Sequence, residues 1–150
     1  MKAAAVLLIV LTCGFAASAQ APVGGAASPT LDFEFYRTKV EPMFFLKRPE
    51  RARCYSCHSF GTPLVIQKLT PGATTYSEEQ SRQNMQTLRR VVVPGNAMRS
   101  RLVLMPLAHD VGGTEFHPGG KHFMSLNDPE LIVLVDWING AKAQPAGAAR

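Results

Sequence analysis

Cys54-Tyr55-Ser56-Cys57-His58 is the stretch of sequence on which the fold and the chemistry of this chain depend. It places two thiols three positions apart and an imidazole directly after the second thiol. A structural zinc ion needs four protein ligands, usually with a second Cys or His pair at short spacing. The third cysteine, Cys13, lies in an apolar N-terminal segment, and the other histidines have no finger-like spacing: His109, His117 and His122. The stretch therefore does not indicate a zinc site.

Two other interpretations of the paired cysteines are also unfavourable. A thioredoxin-type redox pair follows a strand in a βαβ context, whereas a helical pattern and a basic loop precede Cys54. A disulfide across two intervening residues is strained and closes a loop too small to stabilise the fold much.

Covalent haem attachment fits the paired cysteines, because the three-residue step places both thiols at the separation of the two porphyrin vinyl groups. We therefore predict one haem c, attached through Cys54 and Cys57, with His58 as the proximal iron ligand.

The second axial ligand of the iron has several candidates. The loop at residues 111–124 contains glycines that allow backbone to pass close to a flat ligand, and it leads into the last predicted helix. His117 in this loop is our first choice, Met124 the second and His122 the third. Packing or surface roles are expected for the remaining candidates, which are Met85, Met98, Met105 and His109.

The first 19 residues have the pattern of an export signal. Met1-Lys2 supplies a positive start, and an apolar run from Ala3 to Leu11 follows. Ala17-Ser18-Ala19 then matches the small-residue site that a signal peptidase accepts. The apolar run is shorter than the roughly 20 residues of a membrane span. We therefore predict cleavage after Ala19 and export to the periplasm, with a retained membrane anchor as the alternative.

The balance of charge favours protein partners. The chain has 16 basic and 11 acidic residues, and removal of Lys2 leaves 15 against 11, a net charge of +4 with neutral histidines. No long Lys/Arg tract with interleaved aromatics is present, so nucleic-acid binding is not expected. Basic residues just before Cys54 are expected to rim the haem edge, where they would balance the haem propionates or attract an acidic docking surface on a redox partner. They are Lys47, Arg48, Arg51 and Arg53.

Helical periodicity recurs in three places, and each helix has its own start signal. Apolar residues at three- and four-residue steps begin at Leu31 and predict a first helix that Pro42 bends or ends. A capping-box pattern starts the second helix, and a proline at the first helical position starts the third. The expected caps are Thr30 or Asp32, then Ser77 with Gln80, then Asp128. Trp137 is expected beside the apolar stripe of the third helix.

These features predict an all-α domain of three main helices with long loops around one haem. Loops above roughly a dozen residues are uncommon in compact domains unless they serve a site, and a buried haem would add the apolar mass that three helices lack. Residues 1–19 are the expected signal peptide, 20–30 a flexible leader, 31–142 the haem domain and 143–150 a flexible tail.

The order of these features resembles the class I c-type cytochromes, with a terminal helix ending in Asp136-Trp137-Ile138. More narrowly, Val93-Pro94-Gly95-Asn96-Ala97-Met98-Arg99-Ser100 resembles the V-x-P-G-x-x-x-x-S stretch of the planctomycete-type cytochrome c domain. In many of its members the following ligand loop carries Met-Pro-Pro shortly before Gly-Gly, and the matching place here reads His117-Pro118-Gly119-Gly120. The resemblance implies a cytochrome c domain over about residues 31–142, with His117 at the family's ligand position and two histidine ligands to the iron.

The sequence therefore predicts an electron carrier and not an enzyme. One haem c would pass single electrons between periplasmic or membrane-bound redox partners. One alternative is a haem c subunit of a larger respiratory or photosynthetic complex, which the apolar first helix and the leader permit. The other is a small peroxidase or gas sensor. That class needs an open distal position and polar groups beside it, and no spacing selects His109, Arg99 or Arg101 for the task.

Overall fold

A computed structural model describes residues 27–49 and 51–144 of the chain. The predicted signal peptide, most of the predicted leader and most of the predicted tail lie outside the described residues. The described part is helical and contains no strand, which confirms the all-α prediction for that part. One isolated parallel β-bridge joins Leu107 and Phe123. Across the same ranges, no helix has the length and hydrophobicity that crossing a membrane would require.

The first helical stretch changes its geometry twice. It runs as α1 (Phe33–Phe35), a π-helical segment (Tyr36–Val40) and a 3₁₀ segment (Glu41–Phe45). Asp32 is the cap, because its side chain accepts a hydrogen bond from the Phe35 amide at 2.8 Å. Pro42 lies in the first turn of the 3₁₀ segment, where a missing N–H is tolerated, so it does not end the helical stretch.

The middle of the chain has two α-helices. The short helix α2 (Cys54–His58) holds the paired cysteines, and α3 (Glu78–Leu88) follows a long loop. Ser77 accepts a hydrogen bond from the Gln80 amide, and the Gln80 side chain accepts one from the Ser77 amide. The predicted capping box is therefore confirmed. A 3₁₀ turn, Arg89–Val91, ends this region before the turn that contains Gly95.

Short elements alternate with loops up to the last helix. A 3₁₀ turn (Ala97–Arg99), α4 (Arg101–Leu104) and a second 3₁₀ turn (His109–Val111) precede α5 (Pro129–Ile138). Asp128 caps α5 through hydrogen bonds to the amides of its first turn, as predicted. Gly140 follows the helix with φ +99°, a conformation that favours glycine.

The core lies where the first helical stretch meets α5. Trp137 is fully buried there, and its ring centre lies 5.4 Å from that of Tyr36. It is therefore a core residue, whereas the sequence pattern placed it beside the apolar stripe of the last helix. The end of the predicted leader also contacts this region, since Pro29 packs over both Gly95 and Gly140. Other fully buried apolar side chains of the core are Val40, Leu88, Val103, Leu107, Leu131 and Ile138.

Candidate functional site

The helix α2 presents both cysteines and His58 within little more than one turn. Arg53 precedes it in an extended conformation, and the helix ends at His58. Cys54 and Cys57 are free thiols and both are half-buried. Burial raises the pKa of the Cys54 thiol, which keeps it protonated at neutral pH. The chain thus holds two thiols and an imidazole on one short element.

The His58 ring is fixed in one tautomer by the loop that follows it. Its Nδ1 lies 2.8 Å from the Leu64 carbonyl oxygen and 3.2 Å from Thr62 Oγ1. A carbonyl oxygen can only accept a hydrogen bond, so Nδ1 carries the hydrogen in the neutral ring. The lone pair is then on Nε2. Metal-binding histidines usually donate the hydrogen of their other ring nitrogen to a carbonyl oxygen or a carboxylate in this way.

The His117 ring is held in the same way by its own turn. Its Nδ1 lies 2.7 Å from the Gly120 carbonyl oxygen, so Nδ1 again donates and Nε2 carries the lone pair. The Gly120 amide donates back to the His117 carbonyl at 2.9 Å. Gly120 has φ +81°, which lets the chain close this turn within three residues.

The structure brings these two histidines together. Their ring centres are 6.3 Å apart and their planes differ by 17°. Imidazole nitrogens bind a divalent transition metal at about 2.0 Å, so two rings on opposite sides of one metal have centres about 6 Å apart. Within the described ranges no cluster of three or more His, Cys, Asp or Glu could hold a bare metal ion. Two histidine nitrogens without further protein ligands would suit an iron that a porphyrin already surrounds.

The other candidate ligands lie in different settings. His122 is buried and its ring centre is 6.1 Å from that of His117, with the planes 63° apart. Burial, aided by nearby cationic and histidine side chains, lowers the pKa of His122 to about 4, so it is neutral at pH 7. The Met124 side chain is 59% exposed. Met85 is buried and Met98 is exposed, which matches the roles expected of them.

The basic residues before Cys54 divide into two groups. Arg48 forms ion pairs with Asp128 and Glu130 at 3.5 and 3.4 Å, and Arg51 Nε donates to the Lys121 carbonyl. These two arginines therefore contact the loop that carries His117 and the helix that follows it. Lys47 and Arg53 are exposed and remain the candidates for a docking surface.

Several residues that shape the site carry no sequence motif. They are Thr62, Leu64, Gly120 and Lys121. Leu64, Gly120 and Lys121 act through backbone carbonyl oxygens, which every residue has, so side-chain chemistry does not reveal this role. The one available signal is the tight His-Pro-Gly-Gly sequence, because glycine after a histidine and proline indicates a sharp turn.

Comparisons of this chain with protein-family models, with curated proteins and with solved structures give no significant match. No residue role is therefore transferred from a relative. The chemistry available to the site follows from its own groups: two thiols on one helical turn, and two imidazoles that each donate through Nδ1 to a backbone carbonyl.

Proposed function

We propose that this chain is a monohaem c-type cytochrome that carries single electrons. The observation that supports this most strongly is the pair formed by His58 and His117, with ring centres 6.3 Å apart and planes 17° from parallel. Both rings donate through Nδ1 to a backbone carbonyl, which leaves both Nε2 lone pairs for one metal.

Each residue of the site has one role in this proposal. Cys54 and Cys57 would hold the haem by thioether bonds, and His58 and His117 would be its axial ligands. When bound, the haem supplies an iron that changes between the ferric and ferrous states and so takes up or releases one electron. The carbonyls of Leu64 and Gly120 would keep the two imidazole rings oriented in both states. No proton transfer at either histidine is needed.

The fold is consistent with a small cytochrome c-like domain. Its three main helical stretches would be residues 33–45, α3 and α5, with the attachment helix α2 against the first of them. Phe45 packs on Tyr55 of α2 with ring centres 5.2 Å apart. The helical core thus supports the segment that would carry the haem. Helix α2 supplies His58, and a long loop supplies His117.

A carrier is favoured over a haem enzyme because both axial positions would have a protein ligand. A peroxidase or gas sensor needs one position open to its small-molecule ligand. A soluble shuttle and a subunit of a larger electron-transfer complex share the same site chemistry. We propose a periplasmic location with an acidic redox partner, since Lys47 and Arg53 are exposed beside the attachment helix.

The test is an optical spectrum of protein made in a periplasm that contains haem-attachment machinery. We expect a sharp low-spin c-type spectrum without the weak red sulfur-to-iron band, and a chain mass increased by one haem under denaturing conditions. The variant Cys54→Ala/Cys57→Ala should lose the covalent haem. A chain that gains no haem mass would refute the proposal. A high-spin spectrum would instead favour the enzyme or sensor alternative.

A further inference from the structure

The segment before the attachment helix is docked on the loop that carries His117. Arg51 Nε donates a hydrogen bond to the Lys121 carbonyl at 2.8 Å, across 70 residues of sequence. The Arg51 side chain also lies directly over Gly120, because a Cβ on that glycine would be 2.7 Å from Arg51 Cδ and 3.2 Å from Nε. Protein Cβ atoms essentially never make a contact of 2.7 Å. A larger residue at position 120 would therefore require the Arg51 side chain to shift.

Gly120 and Lys121 belong to the turn that fixes the His117 ring. The Gly120 carbonyl accepts the hydrogen bond from His117 Nδ1 at 2.7 Å. On the other side of the loop, Lys121 Nζ donates to the Met105 carbonyl at 3.1 Å and to Thr114 Oγ1 at 3.0 Å. The turn is thus held by Lys121 within its own loop and by Arg51 from the attachment segment.

We infer that Arg51 is a positioning residue that keeps His117 in place as the second axial ligand. This inference rests on the proposed function. Loss of the Arg51 hydrogen bond would let the turn at residues 117–120 open more often, and His117 would leave the iron during each opening. Arg48 would still anchor the attachment segment through Asp128 and Glu130, so an Arg51 variant should fold.

The test is cyanide binding to the ferric holoprotein. Cyanide can bind only when His117 has left, so its apparent Kd is its intrinsic Kd divided by the open fraction. Loss of a hydrogen bond from a charged donor should raise that fraction about tenfold. Arg51→Met should therefore lower the apparent Kd about tenfold, with Arg51→Lys between this variant and the wild type. Arg90→Met is the matched control, because Arg90 is an exposed arginine on a 3₁₀ turn that contains none of the proposed haem-binding residues.

A second readout does not depend on an added ligand. The Gly120 amide donates to the His117 carbonyl, so its hydrogen exchange reports opening of the turn. It should be faster in Arg51→Met holoprotein and unchanged in Arg90→Met. An Arg51→Met variant with a lowered unfolding midpoint but the wild-type cyanide Kd would have only a structural defect, and the inference would be wrong. A wild-type chain without covalent haem would refute the proposed function, and this inference with it.

Discussion

The indole Nε1 of Trp137 donates a hydrogen bond at 2.9 Å to the backbone carbonyl of Asp32, across 105 residues of sequence. Asp32 is also the cap of the first helical stretch, since its side chain accepts from the Phe35 amide. The ring of Trp137 packs against Tyr36, and both side chains are fully buried. One tryptophan thus joins the start of the first helical stretch to the last helix.

Replacement of Trp137 should therefore destabilise the whole domain. Trp137→Phe keeps most of the ring but leaves the Asp32 carbonyl without this donor, and we expect a loss of about 1–3 kcal/mol in the free energy of unfolding. Trp137→Ala also leaves a cavity and should cost about 3–5 kcal/mol. Denaturant unfolding of the holoprotein measures both.

Ile132→Ala on the same helix is the control. Because Ile132 is 45% exposed, this change should alter the free energy of unfolding by less than about 0.5 kcal/mol. Equal stability of Trp137→Phe and wild type would show that the hydrogen bond does not contribute.

Substitution of single histidines distinguishes the candidate axial ligands. His117→Ala should convert the low-spin spectrum to a high-spin one and allow rapid carbon monoxide binding to the reduced protein, because the distal position is then open. His122→Ala should remain low-spin, although His122 is buried beside His117. His109 is exposed, so His109→Ala is the control that shows the effect of removing a histidine that is not an iron ligand. If His122→Ala becomes high-spin and His117→Ala does not, His122 is the ligand.

The starts of the later helices could be predicted from the sequence because capping is local. Ser77 and Gln80 lie three residues apart, and Asp128 directly precedes its helix, so a short window contains the whole signal. The burial of Trp137 could not be predicted in this way. Its position relative to the stripe depends on which element packs on the helix, and that element is more than 100 residues away in sequence.

The same distinction between local and long-range features applies to the candidate site. The Cys-x-x-Cys-His motif is contiguous in sequence, whereas the pairing of His58 with His117 depends on how helix α2 and a distant loop pack together. The hydrogen bonds that select the tautomer of each ring end on backbone carbonyls, which leave no mark in the side-chain sequence. Arg48 and Arg51 indicated a basic surface by composition, yet in the fold both contact the loop and helix that follow His117.

A buried carboxyl group lies between the first helical stretch and α3. Glu41 Oε1 accepts a hydrogen bond from Ser81 Oγ at 2.8 Å, and both side chains are buried. In the part of the chain that the structure describes, Glu41 Oε2, Tyr36 Oη and Asn84 Nδ2 are buried without a hydrogen-bond partner. Burial raises the pKa of Glu41 above its ordinary value, and the hydrogen bond from Ser81 and the charge of Arg37 offset part of the rise.

Glu41 should therefore make the domain less stable as the pH rises. A raised folded-state pKa means that the folded chain holds the proton more tightly than the unfolded chain. The resulting stabilisation is complete below the ordinary pKa of a glutamate and is lost as the pH rises through the folded-state value. Glu41→Gln keeps an acceptor for Ser81 but cannot ionise. We expect it to flatten this part of the pH profile and to add about 1–3 kcal/mol at pH 8, the range for a poorly paired buried polar group.

Denaturant unfolding of the two holoproteins between pH 4 and pH 8 provides the measurement. The difference between wild type and Glu41→Gln isolates this group from others that titrate in both proteins. Glu79→Gln is the control, because Glu79 is an exposed residue of α3 and should change stability by less than about 0.5 kcal/mol. A constant difference between Glu41→Gln and wild type at every pH would show that Glu41 does not titrate differently in the folded chain.

Charge reversal at Lys47 and Arg53 should slow electron transfer to an anionic acceptor. Both residues are exposed beside the attachment helix, so their positive charge would attract a negative partner to the haem edge. With ferricyanide as the acceptor, Lys47→Glu/Arg53→Glu should lower the second-order rate constant several-fold at about 0.01 M salt, where the screening length is about 30 Å. At about 1 M salt that length is about 3 Å, and the two rates should agree within about twofold.

A second double variant separates local charge from net charge. Arg89→Glu/Arg90→Glu makes the same change in net charge, on an exposed 3₁₀ turn after α3 that contains none of the proposed haem-binding residues. If attraction is local to the haem edge, this variant should lose much less of the low-salt rate than Lys47→Glu/Arg53→Glu. Equal losses in the two variants would mean that only the overall charge steers the acceptor. Wild-type rates in both variants at low salt would show that neither surface takes part in docking.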